Sequence, residues 1–244
     1  MKVIYKPKGR AGEYAEYALE IIDGGGCIHG CVYCYAARGN DSFHDTKSIK
    51  IRKNLLVDLE KDLKEFKGKE VFLTFSSDPC QESLNDVVIN TTCSVVKMLH
   101  NHGIIATVLT KGKLDEVDKV LKVMKKNPKL SKLGITSTTL DYNIGASLEP
   151  NAEVANSRPL ILRVAHDLGI YTFISLEPVI IPTETLKVIE KTHTYVDEFK
   201  VGKLNHHPLE KYINWSVFRD DVIALLDKLG KKYIIKHDLL VAGK

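Results

Sequence analysis

No apolar run in the 244 residues approaches the ~18 a membrane-spanning helix needs. The opening Lys2-Val3-Ile4-Tyr5-Lys6-Pro7-Lys8 holds no apolar stretch long enough for a secretory signal. Cysteine is scarce: five residues, an odd number with three of them clustered, do not read as a disulfide framework and suit a reducing compartment. There is one tryptophan, and basic and aromatic residues do not alternate, so no stacking platform for single strands is visible. Charge of one sign is also lacking, since a formal +4 permits a nucleic-acid partner without arguing for one. No linker, low-complexity tract or repeat of about 20–50 residues divides the chain. With 44% apolar and 27% charged residues, it reads as one ordinary globular domain over 1–244, soluble and cytoplasmic, with no membrane partner.

What is present is concentrated in Gly24-Gly25-Gly26-Cys27-Ile28-His29-Gly30-Cys31-Val32-Tyr33-Cys34-Tyr35. Three thiols at Cys-x3-Cys-x2-Cys are soft ligands for an iron–sulfur cluster or for zinc. A cubane held by Cys27, Cys31 and Cys34 leaves one iron open. Zinc is the rival, with His29 or His44 completing a tetrahedron, although no second Cys-x2-Cys or His pair follows at finger or ribbon spacing. The three glycines permit positive φ and close backbone approach around a cluster; they also make an ordinary turn.

Periodicity predicts an alternation of strands and helices. Residues 1–17 read as an irregular basic arm, 18–205 as the core, and 206–244 as a helix with a short tail strand. Strands are expected near 18–22, 71–75, 104–109, 133–136, 171–176 and 198–204, with a tail strand at 233–235. Apolar stripes at helical spacing over 54–66, 88–99, 114–124, 157–168, from about 183, and 218–229 fill the gaps. Six β–α units in series predict an α/β fold with a parallel sheet and right-handed crossovers. In such folds chemistry sits at the carboxyl ends of the strands. There the chain places Ser76, Ser77 and Asp78, then Thr110 and Lys111, Ser137, Glu177, and Lys203 with Asn205. Each alone is as readily a loop residue or helix cap.

The cysteine stretch resembles the loop of radical S-adenosylmethionine (SAM) enzymes, with an aromatic, Tyr33, before the third cysteine. Lys8-Gly9-Arg10-Ala11-Gly12-Glu13-Tyr14 and Gly26 through Tyr35 are similar to the opening segments of the spore photoproduct lyase-like branch. The resemblance implies a partial (β/α)6 barrel, a [4Fe–4S] cluster on Cys27, Cys31 and Cys34, and S-adenosylmethionine on its open iron. It implies that Ser76, Ser77 and Asp78 receive the methionine amine, that Lys111 and Ser137 contact the cofactor, and that Tyr33 and Tyr35 flank its adenine; Glu177, from its place at a strand end, is a further cofactor-binding candidate. Glu149-Pro150 and Arg158 also match the branch, where a capping or ion-pair role competes with a catalytic one.

One departure concerns the hydrogen-donating thiol of the lyase itself. Leu73-Thr74-Phe75 contains none, and Cys80, two residues past Asp78, is either the catalytic hydrogen donor or an inert loop cysteine. Only 26 residues precede Cys27, fewer than in the lyase, so the chain is expected to be a relative of that enzyme. The implied activity is reductive cleavage of S-adenosylmethionine to a 5′-deoxyadenosyl radical that abstracts hydrogen, with a nucleic-acid base or lesion as substrate. A flavodoxin or ferredoxin is the implied electron donor, and a partner protein could close so small a barrel. A radical enzyme acting on a peptide or small metabolite is the alternative, and a zinc-binding interaction module a further one. Lys122, Lys125, Lys126, Lys129 and Lys132 could meet phosphates or form a solvated helix end, and His206-His207 could line the substrate mouth or form a plain turn.

Overall fold

The structure, a computed structural model, describes residues 2–40 and 42–243. Seven strands form one sheet in sequence order, every neighbouring pair parallel: β1 (Tyr17–Leu19), β2 (Glu70–Leu73), β3 (Ile105–Thr110), β4 (Ser131–Thr136), β5 (Tyr171–Val179), β6 (Glu198–Lys203) and β7 (Lys232–Ile235). The sheet curls into a half-barrel whose edges, β1 and β7, do not pair with each other. The intervening helices are α1 (Leu55–Asp62), α2 (Val87–Asn101), α3 (Leu114–Met124), α4 (Tyr142–Leu148), α5 (Pro159–Asp167), α6 (Pro182–Thr192) and α7 (Trp215–Lys228), with α8 (His237–Leu240) closing the chain. No helix among the described residues is long and apolar enough to cross a membrane.

Alternation along each strand sends side chains to two separate cores. On β2, Val71 and Leu73 join the large outer core, where Leu59 of α1, Val95 and Leu99 of α2, and Val120 and Leu121 of α3 cover the sheet. Phe72 points the other way, into a small inner core with Ala18 and Phe173, against which Tyr14, Phe75 and Leu109 pack. Strands buried on both faces read as nearly continuous apolar runs, which is why the sequence shows them plainly.

The amino-terminal arm is far from loose. The amides of Val3 and Ile4 donate to Asp62 at 2.6 and 3.1 Å, and Tyr5 bridges Ala18 antiparallel. Tyr14 then enters the mouth of the half-barrel, its ring against Phe72 and Phe75 and its hydroxyl on Ser175 of β5. Two buried lysines hold this segment: Lys200 of β6 donates to the Tyr14 carbonyl at 3.2 Å and Lys236 to the Arg10 carbonyl at 3.1 Å. Beyond them Glu13 accepts from the His237 amide and Arg10 pairs with Asp238. The arm thus runs from one sheet edge to the other and walls the gap between them.

Several elements differ from expectation. β1 ends at Leu19 because the Glu20 carboxylate turns to accept from the amides of Phe75 and Ser76. β2 ends at Leu73 because Thr74, at φ +57°, leaves the extended region while donating its amide to Leu19. Helix α4 has only seven residues and contains Gly145, too short for a periodic stripe; Asp141 caps it by accepting from the Ile144 amide. The lysine run belongs to the opposite, amino-terminal end of the strands. There Lys122 pairs with Asp118 along α3 and Lys132, at the start of β4, pairs with Glu70 at the start of β2.

Burial pulls the Lys236 pKa from its ordinary 10.5 down to about 8, with Glu177 and Glu13 partly restoring it. From about pH 8 to 10.5 the unfolded chain holds a proton here that the folded chain has shed, so stability rises with pH across that window. Lys236→Met is expected to remove a rise on the order of 2–3 kcal/mol, measured by urea unfolding from pH 7.5 to 10.5.

Candidate active site

At the carboxyl ends of the strands lies a cavity of about 630 Å³. Cys27, Cys31 and Cys34 line it, together with Tyr33, Tyr35, Ser76, Ser77, Asp78, Lys111 and Glu177. Two expected residues lie elsewhere. Ser137 is 1% exposed and turns its hydroxyl to the Thr139 carbonyl at 3.2 Å, while its neighbour Thr136 reaches the wall. Cys80 is fully buried in the outer core and is not on the wall; burial, then the Asp78 charge, pushes its thiol pKa up.

Asp78 is the hub. Its Oδ1 accepts from the Cys80 amide at 2.8 Å and the Thr110 hydroxyl at 2.6 Å. Its Oδ2 accepts from the Lys111 amide at 2.7 Å and stands 3.0 Å from His29 Nε2. Burial alone raises a carboxyl pKa, but His29, Thr110 and the Lys111 amide more than offset it and hold Asp78 at about 2. The carboxylate expected to face an ammonium therefore already ties the cysteine loop to the ends of β2 and β3.

A second anchor grips the loop from the segment after α4. The Val32 amide donates to Leu148, and Asn151 donates its side-chain amide to Ile28 and its backbone amide to His29. Tyr33 hydrogen-bonds to Glu149, which pairs with Arg158 at 2.7 Å, both nearly inaccessible. Arg158 also donates to the carbonyls of Thr136 and Glu153. Glu149 and Arg158 are thus the ion pair that one reading of the sequence allowed. Lys111 Nζ sits 5.7 Å from the centre of the Tyr33 ring. Burial disfavours its charge, yet Cys31 and Glu149 outweigh that and raise its pKa.

The other half of the cavity is built by Tyr14, Phe72, Phe75, Leu109, Ser175 and Glu177. The Glu177 side chain lies flat over Gly202, where a Cβ would stand 2.6 Å from its carboxyl carbon. Burial raises the Glu177 pKa and Lys236 counters it. Lys203, Asn205 and His206 line the mouth with Lys8 and Arg10, whereas His207 does not reach it. Sequence reasoning missed Tyr14 and Phe75 here; the only available signal was the arm segment that contains Tyr14.

The donor set fits an iron–sulfur cluster. All three cysteines are free thiols on one wall, and burial holds Cys27 and Cys31 above the ordinary thiol value, a cost that a soft metal offsets. Of the histidines considered for zinc, His44 meets the Cys27 carbonyl at 2.6 Å and His29 Nε2 faces Asp78 at 3.0 Å.

Because Arg158 neutralises a buried carboxylate behind the loop, Arg158→Met is expected to cost about 3–5 kcal/mol. Adding Glu149→Gln is expected to recover part of that loss. Equilibrium urea unfolding of the single and double variants checks both.

The radical SAM superfamily profile matches residues 21–196. Among solved structures, SuiB of Streptococcus suis bound to S-adenosylmethionine superposes with a TM-score of 0.67 at 12% identity, covering 93% of this chain and 48% of that one. A spore photoproduct lyase variant with bound S-adenosylmethionine and dinucleoside spore photoproduct gives 0.68 at 12% identity, over 95% and 78%. The chain therefore spans about half the length of SuiB and most of the lyase. No match was found among curated proteins. Members of the matched superfamily are enzymes that use a [4Fe–4S] cluster and S-adenosylmethionine, the pair to which the three-thiol wall is suited. With the profile spanning most of its length, the chain belongs to the radical SAM superfamily.

Proposed function

We propose that this radical SAM enzyme acts on a nucleic-acid base or lesion. The observation that carries the reading is the composition of the cavity's outer half. Lys8, Arg10, Lys203 and His206 rim it, and the rings of Tyr14, Phe72 and Phe75 lie within. Flat apolar rings below a cationic rim match a base attached to its phosphates. Two of the rim cations have acidic partners, Asp238 for Arg10 at 3.1 Å and Glu210 for Lys203 at 3.6 Å. Such pairs are only weakly stabilising in solvent, so phosphates can displace them. The similar spore photoproduct lyase structure contains a dinucleoside photoproduct.

The bound cluster and S-adenosylmethionine supply a carbon-centred radical able to abstract hydrogen from an unactivated position. The chain does the rest. Cys27, Cys31 and Cys34 hold the metal. Lys111 offers an ammonium to the polar end of the cofactor beside Ser76 and Ser77, whose hydroxyls bond Glu20 and Thr74, while Tyr33 and Tyr35 present rings to its adenine. Tyr33 is fixed from behind by Glu149, and Tyr35, largely exposed at the mouth, is tethered through its hydroxyl to the Phe75 carbonyl at 2.7 Å. Phe72, Phe75 and Leu109 present apolar surface to the cavity and no abstractable O–H, N–H or S–H hydrogen to a reactive carbon. An external one-electron donor such as flavodoxin or ferredoxin, and a partner protein that closes the cavity mouth left beyond the arm, complete the reading.

The test is anaerobic reconstitution with dithionite and S-adenosylmethionine, scoring 5′-deoxyadenosine with intact oligonucleotides, irradiated oligonucleotides, peptides or no addition. Oligonucleotides are expected to raise the yield. Lys8→Glu with Arg10→Glu is expected to weaken oligonucleotide binding on the order of tenfold and to flatten its salt dependence. A yield raised by peptides or small metabolites and indifferent to every oligonucleotide overturns the proposal.

A further inference from the structure

Cys27 enters the site from three consecutive glycines with φ of +69°, +83° and +134°, a stretch without side chains to hold it. Yet the peptide groups around Cys27 are fully engaged. Its own amide donates to the Phe43 carbonyl at 3.1 Å, and its carbonyl meets His44 Nδ1 at 2.6 Å. The two flanking peptides share one partner. Gln81 Nε2 donates to the Gly26 carbonyl at 3.0 Å, and Gln81 Oε1 accepts from the Ile28 amide at 2.9 Å. Gln81 is fully buried just past the end of β2. One carboxamide thus spends its donor and its acceptor on the peptides either side of the first cysteine. The other two cysteines are linked by their own turn, in which the Cys34 amide donates to the Cys31 carbonyl at 3.0 Å.

We infer that Gln81 is a positioning residue for the iron–sulfur cluster, holding Cys27 in the place where its thiolate meets the metal. Rotation of either flanking peptide would swing the Cys27 sulfur away from the other two, and the glycines on its amino side offer no steric resistance. The bond to Ile28 has a second effect. Amide groups that donate to cluster sulfurs tune the electronic state of the iron. By occupying the Ile28 N–H, Gln81 removes that amide from this role. The inference concerns the cluster alone and is independent of the substrate.

The experiment compares Gln81→Met, of similar length but without the amide, with Gln81→Glu, which accepts from Ile28 and, when ionised, cannot donate to Gly26. Thr92→Val is the control. It removes a buried hydrogen bond to the Pro79 carbonyl of the same segment and leaves the cysteine loop untouched. Each protein is reconstituted anaerobically; iron release to a ferrous chelator, the EPR spectrum of the reduced cluster and the melting temperature of the metal-free protein are recorded. Gln81→Met is expected to release iron about 10–100-fold faster than wild type with a shifted EPR spectrum, and Gln81→Glu to fall between. Thr92→Val is expected to melt lower while keeping wild-type release and spectrum. Should Gln81→Met take up no iron, Gln81→Glu decides in its place. Wild-type release and spectrum in the deciding variant overturn the inference. So does Thr92→Val releasing iron as fast as the deciding variant, since general loss of stability then explains the effect.

Discussion

The buried carboxylate of Asp78 is the constraint on which the site depends. Its two oxygens meet the Cys80 and Lys111 amides, the Thr110 hydroxyl and the His29 ring, so one side chain joins the end of β2, the end of β3 and the middle of the cysteine loop. A buried carboxylate is costly unless its lone pairs are met, and here hydrogen bonds from the ends of β2 and β3 meet them, with the His29 ring a 3.0 Å contact from the cysteine loop. Moving the end of β3 or the cysteine loop breaks a contact to Asp78 at the end of β2. That mutual dependence gives a glycine-rich loop a fixed shape without secondary structure of its own. The Glu149–Arg158 pair repeats the device on the loop's far side, through Tyr33.

The second organising feature is the open sheet. A half-barrel has a gap between its edge strands, and this chain fills it with its own amino-terminal arm. Tyr14 seats against the inner aromatic core, and Lys200 and Lys236, both buried, donate to the arm's carbonyls. Lys8, Arg10 and Tyr14 of this arm also line the outer half of the cavity, so closing the fold and shaping a substrate space are one act of packing. Glu177, laid over Gly202, places the one acidic group of that half among these cations.

How much of this the sequence disclosed follows from the range of each interaction. The strand–helix alternation was legible because each buried strand is a short apolar run, and the metal-binding thiols because their spacing within one loop is local. Most strand-end residues were also legible, since the polar stop after each apolar run lands at the cavity rim. Ser137 followed the same rule yet turns away from the cavity, because the rule locates a backbone position and not a side-chain direction; Cys80, considered only for its closeness to Asp78 in the chain, is buried in the outer core. What Asp78 binds, why Gln81 is a glutamine and where Tyr14 inserts depend on contacts between segments dozens of residues or more apart, which leave no periodic trace. Helix α4 escaped notice because it is short and contains a glycine.

The radical SAM assignment, the cavity and the anchoring of the cysteine loop converge on one claim: Cys27, Cys31 and Cys34 jointly hold a cube whose remaining iron takes S-adenosylmethionine. The most direct measurement is iron and labile sulfide per chain after anaerobic reconstitution, with the EPR spectrum of the reduced protein before and after S-adenosylmethionine is added. The account predicts about four of each, an altered spectrum on addition, and loss of the signal when any one of the three cysteines becomes alanine. A colourless protein carrying a single zinc ion and no labile sulfide would contradict it.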